Sequence, residues 1–207
     1  MVDRRRHDPQ NRYSIYPGKD TLGIPHLKEP MPAYLLMLVA VLSHLLPHPG
    51  WLNFTAVGGA LLYFGARRPW REMLAPLAAL MATDYFLTVF SYHYAFQWQA
   101  YVTTWAWYLA VMALGWILLR TRTTFIRVTA GVVLGPTSFF VVSNYAVWAG
   151  GGLYPPTLGG LEACFVAALP FYRNDMLSTA LVAGLAFGVP VLARRLNAGH
   201  SAAALAK

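Results

Sequence analysis

Six apolar stretches, separated by short polar connections, are the feature that most constrains how this chain folds. They occupy 33–48, 51–66, 72–91, 100–119, 126–149 and 176–193. A helix needs about 20 mostly apolar residues to cross a bilayer, which 100–119 and 176–193 provide, whereas the first two stretches are shorter. The chain is 57% hydrophobic and only 12% charged, so a soluble domain of 207 residues would lack the polar surface to cover its core. We therefore predict an all-α integral membrane protein built as a bundle of six transmembrane helices.

The basic residues lie asymmetrically with respect to these stretches. Drawing all six as membrane spans puts all but one of the 16 Lys and Arg residues on the same side of the bilayer, and the exception is Arg173. Short loops rich in Lys and Arg stay in the cytoplasm, so both termini are predicted to be cytoplasmic. The chain then divides into a cytoplasmic arm at 1–30, a six-helix transmembrane domain at 31–195 and a cytoplasmic tail at 196–207.

The net charge of +8 does not indicate nucleic-acid binding in this chain. The cations are spread over the inner ends of the spans, where membrane orientation alone accounts for them, and no DNA- or RNA-recognition motif is present. The same charges favour contact with the lipid bilayer, at about 1 kcal/mol per residue near anionic lipid. The single cysteine, Cys164, rules out an internal disulfide, and its apolar surroundings indicate a small core residue.

The connection after the fifth stretch is long and rich in glycine. It has three glycines at 150–152, two prolines at 155–156 and two more glycines at 159–160. Unpaired backbone is costly in hydrocarbon, so we expect this segment to cover protein or line a cavity. The next segment, 161–172, has a helical pattern but is too short to span, which predicts a short extra helix near the outer face. Asn174 is then expected to cap the start of the last span.

Asp84 is the one acidic residue well inside a predicted span. A charge at the middle of a bilayer costs about 2.5–3.5 kcal/mol on insertion scales, so this carboxyl group is buried in the bundle, protonated or paired. Two interpretations stay open. In the first, Asp84 belongs to a ligand or proton site. In the second, it forms a structural hydrogen bond to a neighbouring helix, through Tyr85 or a hydroxyl group in another span.

A second candidate group lies around the outer end of the fifth span. Asn144 and Trp148 are four residues apart and therefore share a helix face. With Tyr154 and Glu162, which follow closely in sequence, they predict a polar and aromatic pocket beneath the glycine-rich connection. The alternative is that Asn144 and Trp148 only hold this connection against the helix by hydrogen bonding.

Metal-binding and enzymatic chemistry are not indicated. His44 and His48 have the i, i+4 spacing of a helical metal site, and His93 lies on another outer connection. Pro47 separates the pair, however, and no carboxylate stands beside it. We predict no metal and no cofactor. The chain has no Gly-x-Ser-x-Gly, His-Glu-x-x-His or Walker sequence, so we predict that it is not an enzyme.

Three segments carry a resemblance to a known family: FFVVSNYAVW at 139–148, YPPTLGGL at 154–161 and ALPFYRN at 168–174. Together with LPHP at 46–49, NFT at 53–55 and Asp84, they resemble a family of uncharacterised bacterial membrane proteins that are catalogued, by inference, as transport proteins. The resemblance spans residues 44–190 and leaves the N-terminal arm uncovered.

That family is similar in turn to the substrate-capturing S components of energy-coupling-factor vitamin transporters. This similarity implies a six-helix bundle with cytoplasmic termini that binds a vitamin or metal near the outer face, under the connections at 47–50, 92–99 and 150–175. It also implies coupling membrane-protein and ATPase subunits as partners, and the bacterial inner (cytoplasmic) membrane as the location.

We therefore expect a substrate-binding membrane subunit of a small-molecule transporter, for a vitamin-like or metal-like ligand near the outer face. Its predicted site consists of His48, Asp84, Asn144, Trp148, Tyr154 and Glu162. In this interpretation the aromatic rings stack on an organic ring, while the amide and the acids orient it.

The alternative belongs to a different class, an accessory structural subunit of a larger membrane complex, respiratory or photosynthetic. The long basic arm and helix faces built from small residues would serve docking in such a complex. Those faces pair Ala56 with Ala60, Ala78 with Ala82, Ala106 with Ala110 and Gly184 with Gly188.

Overall fold

The structure, a computed structural model, describes residues 30–46 and 53–205, without the side chains of 194, 195 and 197–205. Within these ranges the chain is helical and contains no strand. Six α-helices follow one another: α1 (Met31–Leu45), α2 (Val57–Arg67), α3 (Leu74–Phe86), α4 (Val102–Leu119), α5 (Phe125–Ala149) and α6 (Leu158–Leu205). Short 3-10 helices precede α3 and α4, at Trp70–Met73 and Trp98–Tyr101, and a π-helical turn at Leu87–Ser91 extends α3.

Four helical segments are long and apolar enough to cross a bilayer. They are Trp70–Ser91, Trp98–Leu119, Phe125–Ala149 and Leu158–Ala193. The first three match predicted stretches closely, and the fourth contains the last stretch. In contrast, α1 has 15 residues and α2 has 11, or about 22 Å and 16 Å of helix. Neither length alone reaches across a hydrocarbon core of about 30 Å.

The prediction of a separate short helix at 161–172 is wrong, because this segment and the last span form one helix. α6 continues without a break through 48 residues, so Asn174 lies inside it and does not cap a new helix. Relative to alanine, each of residues 173–175 destabilises a helix by about 0.7 kcal/mol or less. Continuing the helix through them keeps their backbone groups paired. The connection between α5 and α6 therefore shortens to 150–157.

The start of α2 lies further along the chain than the predicted start at 51. Before it, Asn53 has a φ of 60°, a left-handed conformation that Asn tolerates better than most residues. The Ala56 N–H donates to Ser43 Oγ of α1 at 2.9 Å, which satisfies one of the free donors at the start of a helix. This hydrogen bond holds the start of α2 beside the end of α1.

The short helix α2 lies at the centre of the bundle, and all of its residues but the last are buried. It packs against α1, α4, α5 and α6. The contact with α4 is very close, since a Cβ atom on Gly65 would lie 1.9 Å from the Met112 carbonyl oxygen. Conversely, a Cβ atom on Gly115 of α4 would lie 2.2 Å from the Leu62 carbonyl oxygen. One glycine on each helix therefore lets the two backbones touch.

The predicted small-residue faces are mostly turned outward. Ala56 and Ala60 are buried, whereas the Ala pairs on α3 and α4 are exposed. Gly184 and Gly188 on α6 are also exposed, and a Cβ atom on either would meet nothing within 4 Å. Three of the four faces thus remain open to lipid or to another protein.

Successive helices run antiparallel, so the bundle has two distinct ends. At one end, Arg68 after α2 donates to Glu72 before α3 at 2.6 Å, and Glu72 also accepts from Tyr34 near the start of α1. Arg127 near the start of α5 donates to the Leu118 carbonyl oxygen in the last turn of α4 at 3.0 Å. We term this the basic end, and the end at which α1, α3 and α5 finish the distal end.

Enlarging either contact glycine should destabilise the protein. Gly65→Val and Gly115→Val force atoms into the backbone of the facing helix, at a cost of about 1–3 kcal/mol or more. Gly184→Val is the matched control, because its side chain enters open space. Thermal unfolding of the purified proteins in a mild detergent measures the effect. Equal midpoints for all three variants would contradict the close approach of α2 and α4.

Candidate functional site

Asp84 is the centre of a hydrogen-bond cluster that joins three helices near the distal end. Its side chain is only 5% exposed. His44 Nε2 on α1 lies 3.0 Å from Oδ1 of this carboxyl group, and Trp105 Nε1 on α4 donates to Oδ2 at 2.9 Å. The Tyr108 hydroxyl, further along α4, donates to Oδ2 at 3.5 Å. Both oxygens of the carboxyl group are thus held by donors from neighbouring helices.

This cluster contains the interhelical hydrogen bonds expected for a structural role of Asp84. The expected hydroxyl donor is Tyr108, whereas Tyr85 has an exposed side chain and takes no part. A buried carboxylate is unfavourable unless it is hydrogen-bonded and paired, and His44 supplies a partner that becomes a cation when protonated. The same carboxyl group also borders a cavity, so the structural and ligand-binding interpretations are compatible.

The helix that carries Asp84 changes geometry directly after it. α3 passes into the π-helical turn, where Thr88 Oγ1 donates to the Asp84 carbonyl oxygen at 2.6 Å and also forms a hydrogen bond with the Tyr101 hydroxyl. Single π-helical turns within helices are frequent at functional sites. Here the turn connects the Asp84 cluster to the aromatic residues that precede α4.

A cavity of about 250 Å³ lies beside Asp84. Its polar lining includes His44, Asn53, Thr55, Asp84, Tyr101 and Asp175. The first residues of α2, Val57 and Gly58, form another part of the wall. The start of a helix carries a partial positive charge, so two carboxyl groups, an imidazole and a helix dipole meet in this space.

A second cavity of about 320 Å³ adjoins the first, between α5 and α6. The two cavities share Asn53, Phe139 and Asp175 in their linings. Aromatic rings form much of the second one, and Phe140 and Tyr172 lie 4.7 Å apart between ring centroids. A mostly apolar lining with a few polar groups is typical of sites for small organic ligands.

Asp175 is the site residue that the sequence analysis missed. Its side chain is 7% exposed, and Thr179 Oγ1 donates to its Oδ1 at 3.4 Å. The same oxygen lies 3.5 Å from where a Cβ atom on Gly58 would be, at the start of α2. Asp175 therefore lies directly beside the partial positive charge of that helix terminus.

A sequence signal for Asp175 exists but depends on the correct helix boundaries. Asp175, Ser178 and Thr179 are spaced i, i+3 and i+4 in an otherwise apolar helix, and all three are buried. The break expected at 173–175 placed Asp175 at the membrane surface, where a carboxylate is ordinary. With α6 continuous, it becomes an acidic residue inside an apolar helix, which by default indicates function.

The residues predicted around Asn144 divide between the lining of the larger cavity and the attachment of the connection. Asn144 and Tyr154 border the larger cavity, and Asn144 Nδ2 donates to the Phe140 carbonyl oxygen of its own helix at 2.7 Å. Trp148 borders neither cavity and donates to the Pro155 carbonyl oxygen at 3.0 Å. Trp148 therefore holds the connection against the end of α5.

The remaining predicted site residues are not brought to the cavities. Glu162 is exposed on α6 and borders neither of them. His48 falls in 47–52, outside the described residues. Arg173 is exposed and forms no ion pair with an acidic residue of the described chain. Of the predicted acidic residues, Asp84 alone lines a cavity.

His44 and His93 are the histidines whose side chains the structure describes, and neither lies in a group of possible metal ligands. Across 30–46 and 53–205, no three side chains of His, Cys, Asp or Glu come together as metal ligands would. His44 instead pairs with Asp84. His93 lies on an exposed connection with a φ of 58°.

Sequence comparison places this arrangement in a family. The match covers residues 26–201, which include all the elements that line the two cavities. The chain belongs to DUF6580, a family of unknown function. The resemblance to an uncharacterised family is thus confirmed at that level, whereas transport and similarity to S components are not part of the match. No curated protein and no solved structure matches the chain.

Removing the Asp84 carboxyl group should destabilise this DUF6580 protein strongly. Asp84→Ala leaves the buried Tyr108 hydroxyl and the partly buried His44 and Trp105 side chains without their acceptor, and a buried unsatisfied group costs about 1–3 kcal/mol. Glu162→Ala, which removes an exposed carboxyl group from α6, is the matched control and should have little effect. The measurement is thermal unfolding in detergent, and equal midpoints would show that the cluster contributes no stability.

Proposed function

We propose that this protein is the substrate-binding membrane subunit of a small-molecule transporter, and that its ligand occupies the two adjoining cavities near the distal end. The observation that carries the proposal is that the cavities, of about 250 and 320 Å³, share Asn53, Phe139 and Asp175. Sites for small organic ligands typically measure about 300–1,000 Å³ and combine apolar walls with a few polar groups. Taken together, the two adjoining cavities have a volume in this range and a lining of this kind.

The orientation that we propose puts the cavities at the outer face of a bacterial inner membrane. All described Arg side chains except Arg173 gather at the basic end, at 67–71 and 120–127, and cations of short connections stay in the cytoplasm. The antiparallel order of α1 to α6 supports a six-segment topology in which both termini are cytoplasmic. In this topology the buried helix α2 enters the membrane inside the bundle, and α1 packs on its outside against α2 and α3.

Reporter fusions test this topology. Green fluorescent protein fused to either terminus should fluoresce, since it folds in the cytoplasm, and alkaline phosphatase inserted at Gly151 should be active, since it needs the outer compartment. Phosphatase inserted at Arg122, between α4 and α5, is the matched control and should be inactive. Termini on opposite sides of the membrane would overturn the proposed orientation.

Transport requires partner subunits, because ligand binding alone does not move the ligand. The sequence contains no Walker motif, so the energy would come from a coupling membrane protein and ATPase subunits. The exposed small-residue faces on α3, α4 and α6 support contact with such a membrane partner, because small residues let helices approach closely.

Filling the larger cavity should abolish ligand binding. Ala168→Phe puts a ring into the cavity lining, and the matched control Ala163→Phe puts the same ring on an exposed face of α6. Purified protein is screened against vitamins and other small metabolites by thermal unfolding, where a ligand at 100 times its Kd adds about 2.7 kcal/mol of stability. Stabilisation is expected in the unmodified protein and in the control, and not in Ala168→Phe.

Two results of this screen would contradict the proposal. A compound that stabilises Ala168→Phe as strongly as the unmodified protein binds outside the larger cavity. The absence of any stabilising compound argues against a ligand-binding subunit altogether.

A second candidate function is an accessory structural subunit of a larger membrane complex, respiratory or photosynthetic. It is favoured by the outward position of three small-residue faces, which suit permanent contacts with other helices. Isolation in a mild detergent separates the candidates, because a transporter subunit should retain ATPase subunits and a structural subunit should retain a different stoichiometric set. We prefer the transporter subunit, because a subunit that only contacts other proteins does not need two adjoining cavities.

A further inference from the structure

The charge around the two cavities is one-sided. Asp84 and Asp175 both border the smaller cavity, and Asp175 also borders the larger one. No Lys or Arg of the described chain lines either cavity. An anionic ligand would therefore enter a poorly solvated space that holds like charges and offers no basic side chain beyond His44.

Of the two carboxyl groups, Asp175 retains capacity to bind a ligand. Both oxygens of Asp84 already accept hydrogen bonds from side chains of α1 and α4. Within the described chain the carboxyl group of Asp175 accepts one hydrogen bond, from Thr179 Oγ1 at the long distance of 3.4 Å. Because an ionised carboxyl group offers about four acceptor positions, most of those on Asp175 are left for a ligand.

The net charge of the site stays negative after its own positive groups are counted. His44 pairs with Asp84 at 3.0 Å, so it offsets at most that one carboxyl group. The start of α2 near Gly58 contributes about half a positive charge beside Asp175. About half a negative charge therefore remains at Asp175, and a ligand with a single positive charge offsets it.

The walls next to Asp175 also suit a cation with an apolar body. Phe139 lies between the two cavities and packs on Trp107, with 4.6 Å between ring centroids. Aromatic faces attract cations through their electron-rich surfaces, and they also stack on planar rings.

We infer that the ligand is a small organic cation, an amine or a protonated nitrogen heterocycle, whose positive group binds Asp175 and whose apolar part lies against Phe139. This inference rests on the proposed function, because it names the class of ligand that the same cavities take.

Three probes that share a ring and differ in charge test the inference. They are 2-phenylethylamine, which is a cation, 2-phenylethanol, which is neutral, and 3-phenylpropanoate, which is an anion. Isothermal titration of the full-length protein in detergent, with protein-free micelles as the blank, measures each affinity. The cation should bind about tenfold or more tightly than the neutral probe, and the anion more weakly than either.

Variants at Asp175 assign the preference to its carboxyl group. Asp175→Asn should bring the affinities for the cation and the neutral probe to within about threefold of each other, because the amide has no charge. Asp175→Glu keeps the charge and should keep the preference. Gel filtration and thermal unfolding establish that each variant is folded, and the probe series on the unmodified protein stands even where a variant does not fold.

The outcomes separate this inference from the function on which it rests. Equal affinity for all three probes, tighter binding of the anion, or an undiminished preference in Asp175→Asn overturns the cationic class and leaves a ligand-binding subunit intact. Failure of all three probes, while other metabolites bind in the cavity-filling screen, also overturns the cationic class alone. Failure of every compound in both experiments removes the proposed function as well.

Discussion

The contact between the backbones of α2 and α4 is the constraint on which the rest of the structure depends. A helix of 11 residues is too short to cross a bilayer, so it is stable in this environment only where other helices enclose it. Gly65 and Gly115 allow that enclosure, since any side chain at either position would meet the opposite backbone. With α2 held there, α1, α4, α5 and α6 pack around it and complete its burial.

The start of the same short helix borders the space that we propose for a ligand. α2 begins at Val57, and its first two residues line the smaller cavity. Asp84 and Asp175 border this cavity from α3 and α6. The position of α2 therefore brings both buried carboxyl groups close to the partial positive charge at its start.

Hydropathy alone predicted the long helices well, because a continuous apolar run leaves a chain in a membrane few alternatives to a helix. It placed 72–91, 100–119 and 126–149 within a few residues of the observed segments. It failed at the start of α2, where the residues before Val57 are apolar enough to continue a span. It also failed at 173–175, where polar residues indicated an end and tertiary burial of Asp175 allowed the helix to continue.

The candidate site was predicted only in part, because many of its residues are far apart in the sequence. Asp84 is recognisable as an isolated acidic residue in an apolar segment, and Asn144 and Tyr154 are close enough in sequence to be grouped. The partners of Asp84 come from α1 and α4, and Asp175 comes from α6, so no local spacing connects them. Gly65 and Gly115 escaped notice for the same reason, because a glycine matters here through the helix that faces it.

The continuity of α6 has a mechanical consequence. A single helix connects Asp175 to Ala193, over about 27 Å. A tilt at one end of a continuous helix therefore moves the other end with it. A tilt of about 5° around Asp175 displaces the far end by about 2 Å. An event that pushes on the carboxyl group near the distal end is therefore felt toward the other end of the helix as a sideways shift, without any rearrangement of the helices in between.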